Sequence, residues 1–420
     1  MQLFNRGVVL PFQKGKAVEH GIENLTPTEV RIPVAPGDEV SPIAHLPADA
    51  PVTCGDELCR VSYTPAVATV TGILEGTMAI NHPLYGSLLC AAIRAEGESE
   101  EETCLPILSE EELTPEAIVN IARDAGIYDE LDGVPLWEKL AQWMSPENDV
   151  LALHSMLVAD ATENDIFGSS SWAVLMEQPR LALFGLQMAA RAIGFSRYHI
   201  ATMLPARRRR ALKRAIGRMN VYTVGDEFPV TQFGPQDMEC YRIGIQACLA
   251  LGRALKRGLH HTAVILTVAG DAMPTPRNFR VPFGTRVGEI LDFCQIKGNV
   301  RIVLGDSMNG VTCTDRNTTI LPGITTLLVM EQKPVRIPGP CIGCGRCAEV
   351  CHAGLLPYEI VRRAENMHYE RLQHLSPGDC DGCAACSYIC PAGRDVAADV
   401  VAAGQSKGSM FLTWGEDDYE

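Results

Sequence analysis

Eight of the sixteen cysteines in this chain lie between Cys341 and Cys390, in two runs with the same spacing. The first reads Cys341-Ile-Gly-Cys344-Gly-Arg-Cys347-Ala-Glu-Val-Cys351. The second reads Cys380-Asp-Gly-Cys383-Ala-Ala-Cys386-Ser-Tyr-Ile-Cys390. Each is C-x₂-C-x₂-C-x₃-C, the ferredoxin run that holds a [4Fe–4S] cluster. A tight turn presents three thiolates to one cube, and the fourth cysteine, a helical turn further on, faces the other cube. The spacing therefore assigns Cys341, Cys344, Cys347 and Cys390 to one cluster, and Cys380, Cys383, Cys386 and Cys351 to a second. Structural zinc also uses paired C-x₂-C units, but it takes four ligands per site and leaves the third and fourth cysteine of each run unexplained. Gly343, Gly345, Gly382, Ala384 and Ala385 are small enough to let backbone amides approach the sulfurs and tune their potential. Pro391 follows Cys390 as the ferredoxin pattern prefers, whereas His352 follows Cys351. That histidine either fills a turn position or donates a hydrogen bond to a cluster sulfur.

Little else in the chain has the spacing of a reactive site. Cys54, Cys59, Cys90, Cys104, Cys240, Cys248, Cys294 and Cys313 are dispersed and read as small buried hydrophobes, with Cys54 and Cys59 near enough in sequence to form a redox pair. His260-His261 reads as a surface pair at a strand entrance. No Ser/His/Asp or Cys/His nucleophile constellation stands out, so no catalytic residue is assigned.

These cysteines must be carried by a scaffold, and 420 residues allow two to four domains. A hydrophobic fraction of 46% is enough for real cores, and a net charge of -15 argues against a nucleic-acid partner. No apolar run is long enough to span a bilayer, and the start has no secretory pattern. Reduced, clustered cysteines suit the cytoplasm. Residues 1–106 carry short alternating apolar runs between turn residues, among them Val30–Val34 and Val67–Gly72, and predict a β-rich barrel or sandwich. The acidic stretch 96–102 reads as a linker. Residues 107–258 alternate helices with buried strands: a helix capped by Thr114 and Pro115, a strand at 151–158, a helix at 179–193, a strand at 198–204, a helix at 205–216, a strand at 220–224 and a helix from Met238 to Lys256. That order predicts a parallel α/β layer. The arginines 207–210 read as a solvated face, or as a contact for an acidic partner or a phosphate. Residues 259–333 predict a β-grasp-like module, 334–402 the cluster domain, with a mostly helical link at 354–375, and 403–420 an acidic tail.

This order of parts resembles the RnfC subunit of the Rnf (Rsx) ion-translocating electron-transport complex and its relatives, the proline-reductase-associated electron-transfer protein, the cobalamin reductase and, more distantly, the NADH-binding subunit of complex I. The cluster end from Cys341 through Pro357 and from Cys380 through Pro391 carries the likeness most specifically. Leu266–Asp271 followed by Val281–Thr285 is similar to the family's soluble-ligand-binding β-grasp (SLBB) module, and Tyr222–Glu227 to its Tyr-Pro-x-Gly-x-Glu segment. The resemblance implies a multi-domain α/β and α+β fold: a β-rich N-terminal barrel-sandwich domain, a parallel α/β domain like that of the complex I subunit, an SLBB-like β-grasp and a dicluster ferredoxin domain. It also implies partner subunits of an Rnf-type complex or another oxidoreductase, NADH or ferredoxin as electron partners, and a place in the cytoplasm, peripheral on the inner face of the membrane.

The flavin site of the family is where the sequence departs. Members that bind FMN carry a loop of the form GLGGAGFPT after Ala-Gly-Ile. Here the sequence runs Ala125-Gly126-Ile127-Tyr128-Asp129-Glu130-Leu131-Asp132-Gly133-Val134-Pro135-Leu136. A phosphate cradle needs glycines so that amides can converge on the anion, and each carboxylate about 5 Å from a phosphate costs on the order of 1–3 kcal/mol. The family's Glu-x-Glu-Pro-Tyr is replaced by residues 160–168, Asp-Ala-Thr-Glu-Asn-Asp-Ile-Phe-Gly. The favoured expectation is an iron–sulfur electron carrier without flavin. The alternative is an NADH oxidoreductase in which FMN splits a hydride into single electrons for the clusters, and a third reading makes the metals purely structural.

Overall fold

The computed structural model describes residues 7–14, 17–36, 49–61, 63–97, 103–144, 154–334, 337–366 and 372–412. The chain enters through β1 (Val8–Val9) and β2 (Ile22–Asn24), then builds β3 (Glu29–Pro36), β4 (Ala50–Val52), β5 (Glu57–Val61), β6 (Thr64–Val67), β7 (Gly72–His82) and β8 (Gly86–Ala95). The last six form a four-stranded antiparallel sheet, β3-β8-β7-β4, and a two-stranded one, β5-β6. Alternation of Val30, Ile32 and Val34 along β3 points one face inward, where they meet Leu58, Val70, Leu74 and Ile93 in a single core. The run 67–72, expected as one strand, is instead the end of β6, a link and the start of β7. Its link is held across the domain, Ala68 donating to Asp56 O at 2.8 Å and Gly55 to Ala68 O at 2.8 Å. Most of the acidic linker, 98–102, lies outside the described residues.

The leading segment, through Leu25, does not join that domain. β1 pairs with residues 227–228, and β2 adds to a distant sheet beside residues 278–280. A β-rich domain that starts at residue 1 is therefore corrected by the strand pairing: the leading segment straps the other layers together.

The α/β layer begins with α1 (Pro115–Asp124) and α2 (Leu136–Trp143). Thr114 Oγ1 accepts from Ala117 N at 3.2 Å, and Pro115 occupies the first turn, so α1 starts as its sequence dictates. Next come β9 (Ser155–Ala161), α3 (Ser170–Glu177), α4 (Pro179–Ala192), β10 (Tyr198–Thr202), α5 (Ala206–Ile216), β11 (Val221–Thr223), the short β12 (Glu227–Phe228), β13 (Glu239–Gly244) and α6 (Ile245–Arg257). β11, β10, β9 and β13 lie side by side in that order, all parallel. The strand expected at 151–158 is β9, Ser155–Ala161, starting four residues later and ending three later, with 151–153 outside the described residues. The helix expected from Met238 is a larger correction. Residues 239–244 pair with β9 between Ser155 and Asp160 as a fourth strand, and the helix begins only at Ile245. Tertiary pairing overrides the local pattern there.

α4 and α6 cross in close contact because glycines face each other's backbone. A Cβ on Gly185 would stand 1.8 Å from Cys248 O, and one on Gly252 would stand 2.4 Å from Leu181 O. Gly185→Ala must push the helices apart, and it is expected to lower the stability of this layer by about 1–3 kcal/mol in urea unfolding. An unchanged midpoint would show that the helices pack less tightly than this.

Residues 263–331 supply β14 (Ala263–Ala269), β15 (Arg277–Pro282), α7 (Val287–Phe293), β16 (Val300–Leu304), β17 (Val311–Cys313) and β18 (Thr326–Glu331). They make a six-stranded mixed sheet, β17-β16-β18-β14-β15-β2, that folds over α7, with Leu266, Phe279, Ile290 and Leu327 in its core. His260 and His261, at the entrance to β14, are half-buried rather than a surface pair. Burial beside Arg253 and Arg280 pushes His261 down to about 3, so it stays neutral and accepts from Tyr128 N at 3.4 Å.

The cysteine runs lie in a last, small unit. α8 (Arg346–Glu349), α9 (Pro357–Glu365), α10 (Ala385–Tyr388) and α11 (Val396–Leu412) pack around Ile360, Leu372, Val396 and Val400. α9 and a short helical turn at Gln373–Leu375 supply the helical parts of the link expected at 354–375, of which 367–371 lie outside the described residues. The tail expected at 403–420 is corrected, since α11 continues through Leu412, and 413 onward lies outside the described residues. Val350 and Ala385 of this unit pack with Val8, Leu10 and Phe228, and Cys383, Ile389, Ile166 and Met308 flank them. The cluster unit thus docks where the leading strap, the α/β layer and the six-stranded sheet meet.

Candidate metal centre

The two runs fold the same way because both need the same backbone. Gly343 and Gly345 take left-handed φ values of 68° and 76°, and the matching residues of the second run, Gly382 and Ala384, take 72° and 62°. Each left-handed residue turns the chain into a short helix, α8 after Gly345 and α10 after Ala384, that carries the third cysteine. Ala384 adopts this conformation with a Cβ, a strain of about 1–2 kcal/mol that Gly345 avoids.

The side chains sort into two sets. Cys341, Cys344, Cys347 and Cys390 wall a cavity of about 300 Å³. Cys351, Cys380, Cys383 and Cys386 converge on a second, smaller one closed by Ala397 and Val400. In both sets the fourth cysteine comes from the opposite run. Backbone amides reach the sulfurs: Tyr358 and Ala348 at Cys347, Gly382 at Cys380, and Ala385 at Cys383. Burial, with like charge from neighbouring groups, pushes the Cys383 and Cys386 thiols up to about 12. Such thiols ionise only beside a cation, so an iron-bearing guest that releases protons as it binds fits this donor set.

The surroundings of the two sites differ. Arg346, Arg362, Arg394 and Glu365 border the first. His352 and Asp381 border the second, joined at 2.9 Å, with Asp381 also accepting from Cys383 N at 3.1 Å. His352 stands in a turn and spends Nε2 on this carboxylate. Asp381 occupies the place in the second run that Ile342 holds in the first, and its role escapes the sequence because only its partner's position reveals it. With Cys383 these two residues form a further ligand-like trio at the second site.

The other cysteines form no disulfide. Cys54, Cys59, Cys90, Cys248 and Cys313 are buried as expected, whereas Cys240 and Cys294 are half-buried and Cys104 is exposed. Cys54 and Cys59 turn to different carbonyls, Thr69 O at 3.5 Å and Val34 O at 3.7 Å. Burial pushes the Cys59 thiol up to about 11, which suits an inert hydrophobe rather than a redox pair.

The loop that stands in place of the glycine-rich cradle turns inward and meets the start of α6. Glu130 accepts from Gln246 N at 2.6 Å and Ala247 N at 2.9 Å. Asp129, fully buried, accepts from Gly244 N at 2.9 Å and Leu131 N at 3.0 Å, and its other oxygen meets Lys139 Nζ at 2.6 Å. Lys139 also holds Asp132 at 2.6 Å. The amides and positive dipole end that attract an anion are taken by the chain's own carboxylates. The second replaced segment is spent likewise. Asp160 pairs with Arg242 at 2.5 Å, Asp165 accepts from Gly168 N at 2.7 Å and Ser307 N at 2.7 Å, and Glu163 accepts from Ser170 Oγ at 2.9 Å. Lys14, from the leading strap, is buried beside Glu163, Asp165 and Asp306, and burial lowers its ammonium to about 8. These residues do not fit a flavin phosphate.

Two sets of four cysteines, each completed across two matching runs, form a unit of the iron–sulfur dicluster type. Residues 340–394 match the family model described as a 4Fe-4S dicluster domain. Over a longer span the chain is similar to C subunits of ion-translocating oxidoreductase complexes. It is 24% identical over 302 residues to the C subunit of the proton-translocating ferredoxin:NAD(+) oxidoreductase complex of Clostridium ljungdahlii, covering 66% of this chain and 65% of that protein. It is 25% identical over 298 residues to the C subunit of the ion-translocating oxidoreductase complex of Rhodobacter capsulatus, covering 64% and 56%. To the Vibrio cholerae protein of the same name it is 24% identical over 325 residues, covering 71% and 41%. The chain therefore spans less than two thirds of the length of these relatives. A chain of an NAD+-reducing [NiFe]-hydrogenase superposes with a TM-score of 0.44 at 14% identity, covering 72% of this chain and 67% of that one, a likeness too loose to carry an argument. No helix among the described residues is long and apolar enough to cross a membrane.

Proposed function

We propose that this chain is an electron-transfer subunit that relays single electrons through two [4Fe–4S] clusters to or from a partner oxidoreductase, docked on an Rnf-type complex at the inner face of the membrane. The observation that carries the reading is the convergence of eight cysteines into two sets of four within one small unit. Cys341, Cys344, Cys347 and Cys390 would hold one cluster, and Cys351, Cys380, Cys383 and Cys386 the other. Bound there, a [4Fe–4S] cluster supplies reversible one-electron redox chemistry. The protein's own residues exclude water with Val396, Ala397 and Val400, aim amides at the sulfurs, and set unlike charge around the two sites. The six-stranded module is read as SLBB-like.

The filled cradle supports a relay that works without FMN in this chain, its electrons arriving already single. Anaerobic absorbance spectroscopy tests this. The purified, iron-reconstituted protein is expected to show a broad iron–sulfur shoulder that dithionite bleaches, with no flavin band. Added FMN is expected to remain unbound after gel filtration, and NADH to leave the shoulder unchanged. Stoichiometric FMN that NADH bleaches would replace the relay with the flavoprotein mechanism.

A further inference from the structure

The arginine cluster of α5 takes no part in anything described so far. Between residues 207 and 218 stand Arg207, Arg208, Arg209, Arg210, Lys213, Arg214 and Arg218, seven of the chain's 36 lysines and arginines in a protein of net charge -15. Among the described residues none of these side chains forms a salt bridge, and only that of Arg209 hydrogen-bonds, donating to Leu204 O at 3.1 Å. The layout works against the helix. Its first five residues, Ala206–Arg210, hold four arginines and no acid, at the end where the macrodipole is positive. Arg207, Arg210 and Arg214 repeat at three- and four-residue intervals, so like charges repel along one exposed stripe about 10 Å long. Leu212 and Ile216 anchor the other face. An exposed stripe of this kind does not converge on one phosphate as a nucleotide site does.

Its place in the sheet says what it faces. β10 lies between β11 and β9, and α5 starts from the carboxyl end of β10. The segments leaving the carboxyl ends of β9 and β11 are those that reach the cluster unit, through Ile166 and Phe228. The arginines that open α5 thus leave the same carboxyl end of the sheet as the segments that reach the cluster unit. Near the helix itself the strongly exposed apolar residue, Met219 (91% exposed), lies beyond the far end, away from those arginines, so within α5 charge and apolar anchor are not combined as a lipid-binding helix combines them.

We propose that this stripe is the docking surface for a small acidic protein that carries one electron at a time, and that it steers that protein to the cluster held by Cys351, Cys380, Cys383 and Cys386. This rests on the relay reading above. In the exchange the reduced carrier loses one electron and the cluster gains it; no bond forms and no proton moves. Complementary charge of this kind acts mainly on the association rate and is screened by salt.

The test uses the reconstituted chain, an acidic 2[4Fe–4S] ferredoxin as probe, and stopped-flow mixing in both directions. In wild type the exchange rate is expected to fall steeply with salt. The triple variant R207E/R210E/R214E is expected to lose about tenfold or more at low ionic strength and to show no such fall. Glutamate at 207 suits the first turn but glutamate at 214 falls in the last, so far-UV circular dichroism and urea unfolding matching wild type are the check that a slow variant is a folded one. Reduced methyl viologen, a small cation, is expected to reduce wild type and variant at similar rates. An unchanged ferredoxin rate in the variant overturns the proposal, as does a wild type that viologen reduces but ferredoxin never does. Binding to phosphatidylglycerol vesicles that the variant loses, with ferredoxin exchange intact, would assign the stripe to lipid and overturn it too. Wild-type clusters that no reductant reduces would sink the relay reading itself.

Discussion

Doubly substituted at Cys344 and Cys390, the protein is expected to keep about four of about eight irons, whereas substitution at Cys344 and Cys383 is expected to leave almost none. In sequence Cys390 belongs with Cys383, in the same run, and Cys344 lies far before both. If each run held its own cluster, the first pair would strike both clusters and empty the chain. The side chains group otherwise, with Cys390 in the wall of the cavity formed by Cys341, Cys344 and Cys347. Alanine at Cys344 and Cys390 removes two ligands from one cube and none from the other. The reciprocal pair, Cys351→Ala with Cys383→Ala, is expected to spare the first site in the same way. Iron and sulfide analysis after oxygen-free reconstitution reads the result, and total loss in C344A/C390A would show that the runs do not exchange their fourth ligands. Loss of stability should accompany loss of iron. Where the second site is emptied, as in the Cys351→Ala, Cys383→Ala pair, the remaining buried thiol of Cys386, pushed up to about 12, stays protonated and repays none of the ordering of its loop without a cation beside it.

The donor set was legible because its information is local. Three cysteines of each set lie close together in one run, and the small residues between them carry the required turn, so spacing alone specifies the loop. α4 was legible for a similar reason: Pro179 and Gly194 bound it. Where a neighbour decides, the sequence misleads. Residues 239–244 look helical beside the helix that follows, and become a strand because the edge of β9 is open to them. β1 and β2 find their partners far along the chain, at Glu227–Phe228 and at Asn278–Arg280. The loss of the glycine cradle could be read from Asp129 and Glu130. That those carboxylates fill the vacated amides could not, because the amides belong to Gly244, Gln246 and Ala247.

That filling makes a strong prediction about stability. Glu130→Ala removes the acceptor of two backbone amides at the start of α6 and is expected to cost about 2–4 kcal/mol at pH 6. The site is tight: a Cβ on Gly244 would stand 2.0 Å from the Glu130 carboxylate. Burial, and the Asp129 carboxylate beside it, push Glu130 up to about 8, although the two amides pull the other way. The unfolded chain releases this proton near 4.5, so between about pH 4.5 and 8 the folded state binds more protons than the unfolded one. The contribution of this group is therefore full below about 4.5 and is lost as the pH rises through 8. Wild type should lose stability across that interval by a few kcal/mol, and Glu130→Gln, neutral throughout, should flatten the profile. Gln keeps one acceptor for the amides, so it should be less damaging than Ala. Urea unfolding of wild type and both variants at pH 5, 6.5 and 8 measures all three effects. Parallel profiles for wild type and Glu130→Gln would mean that Glu130 is ionised across the whole range, held there by the helix end it caps. In that case the helix end outweighs burial, and the carboxylate sits at α6 as a permanent substitute for the phosphate that a glycine cradle would hold.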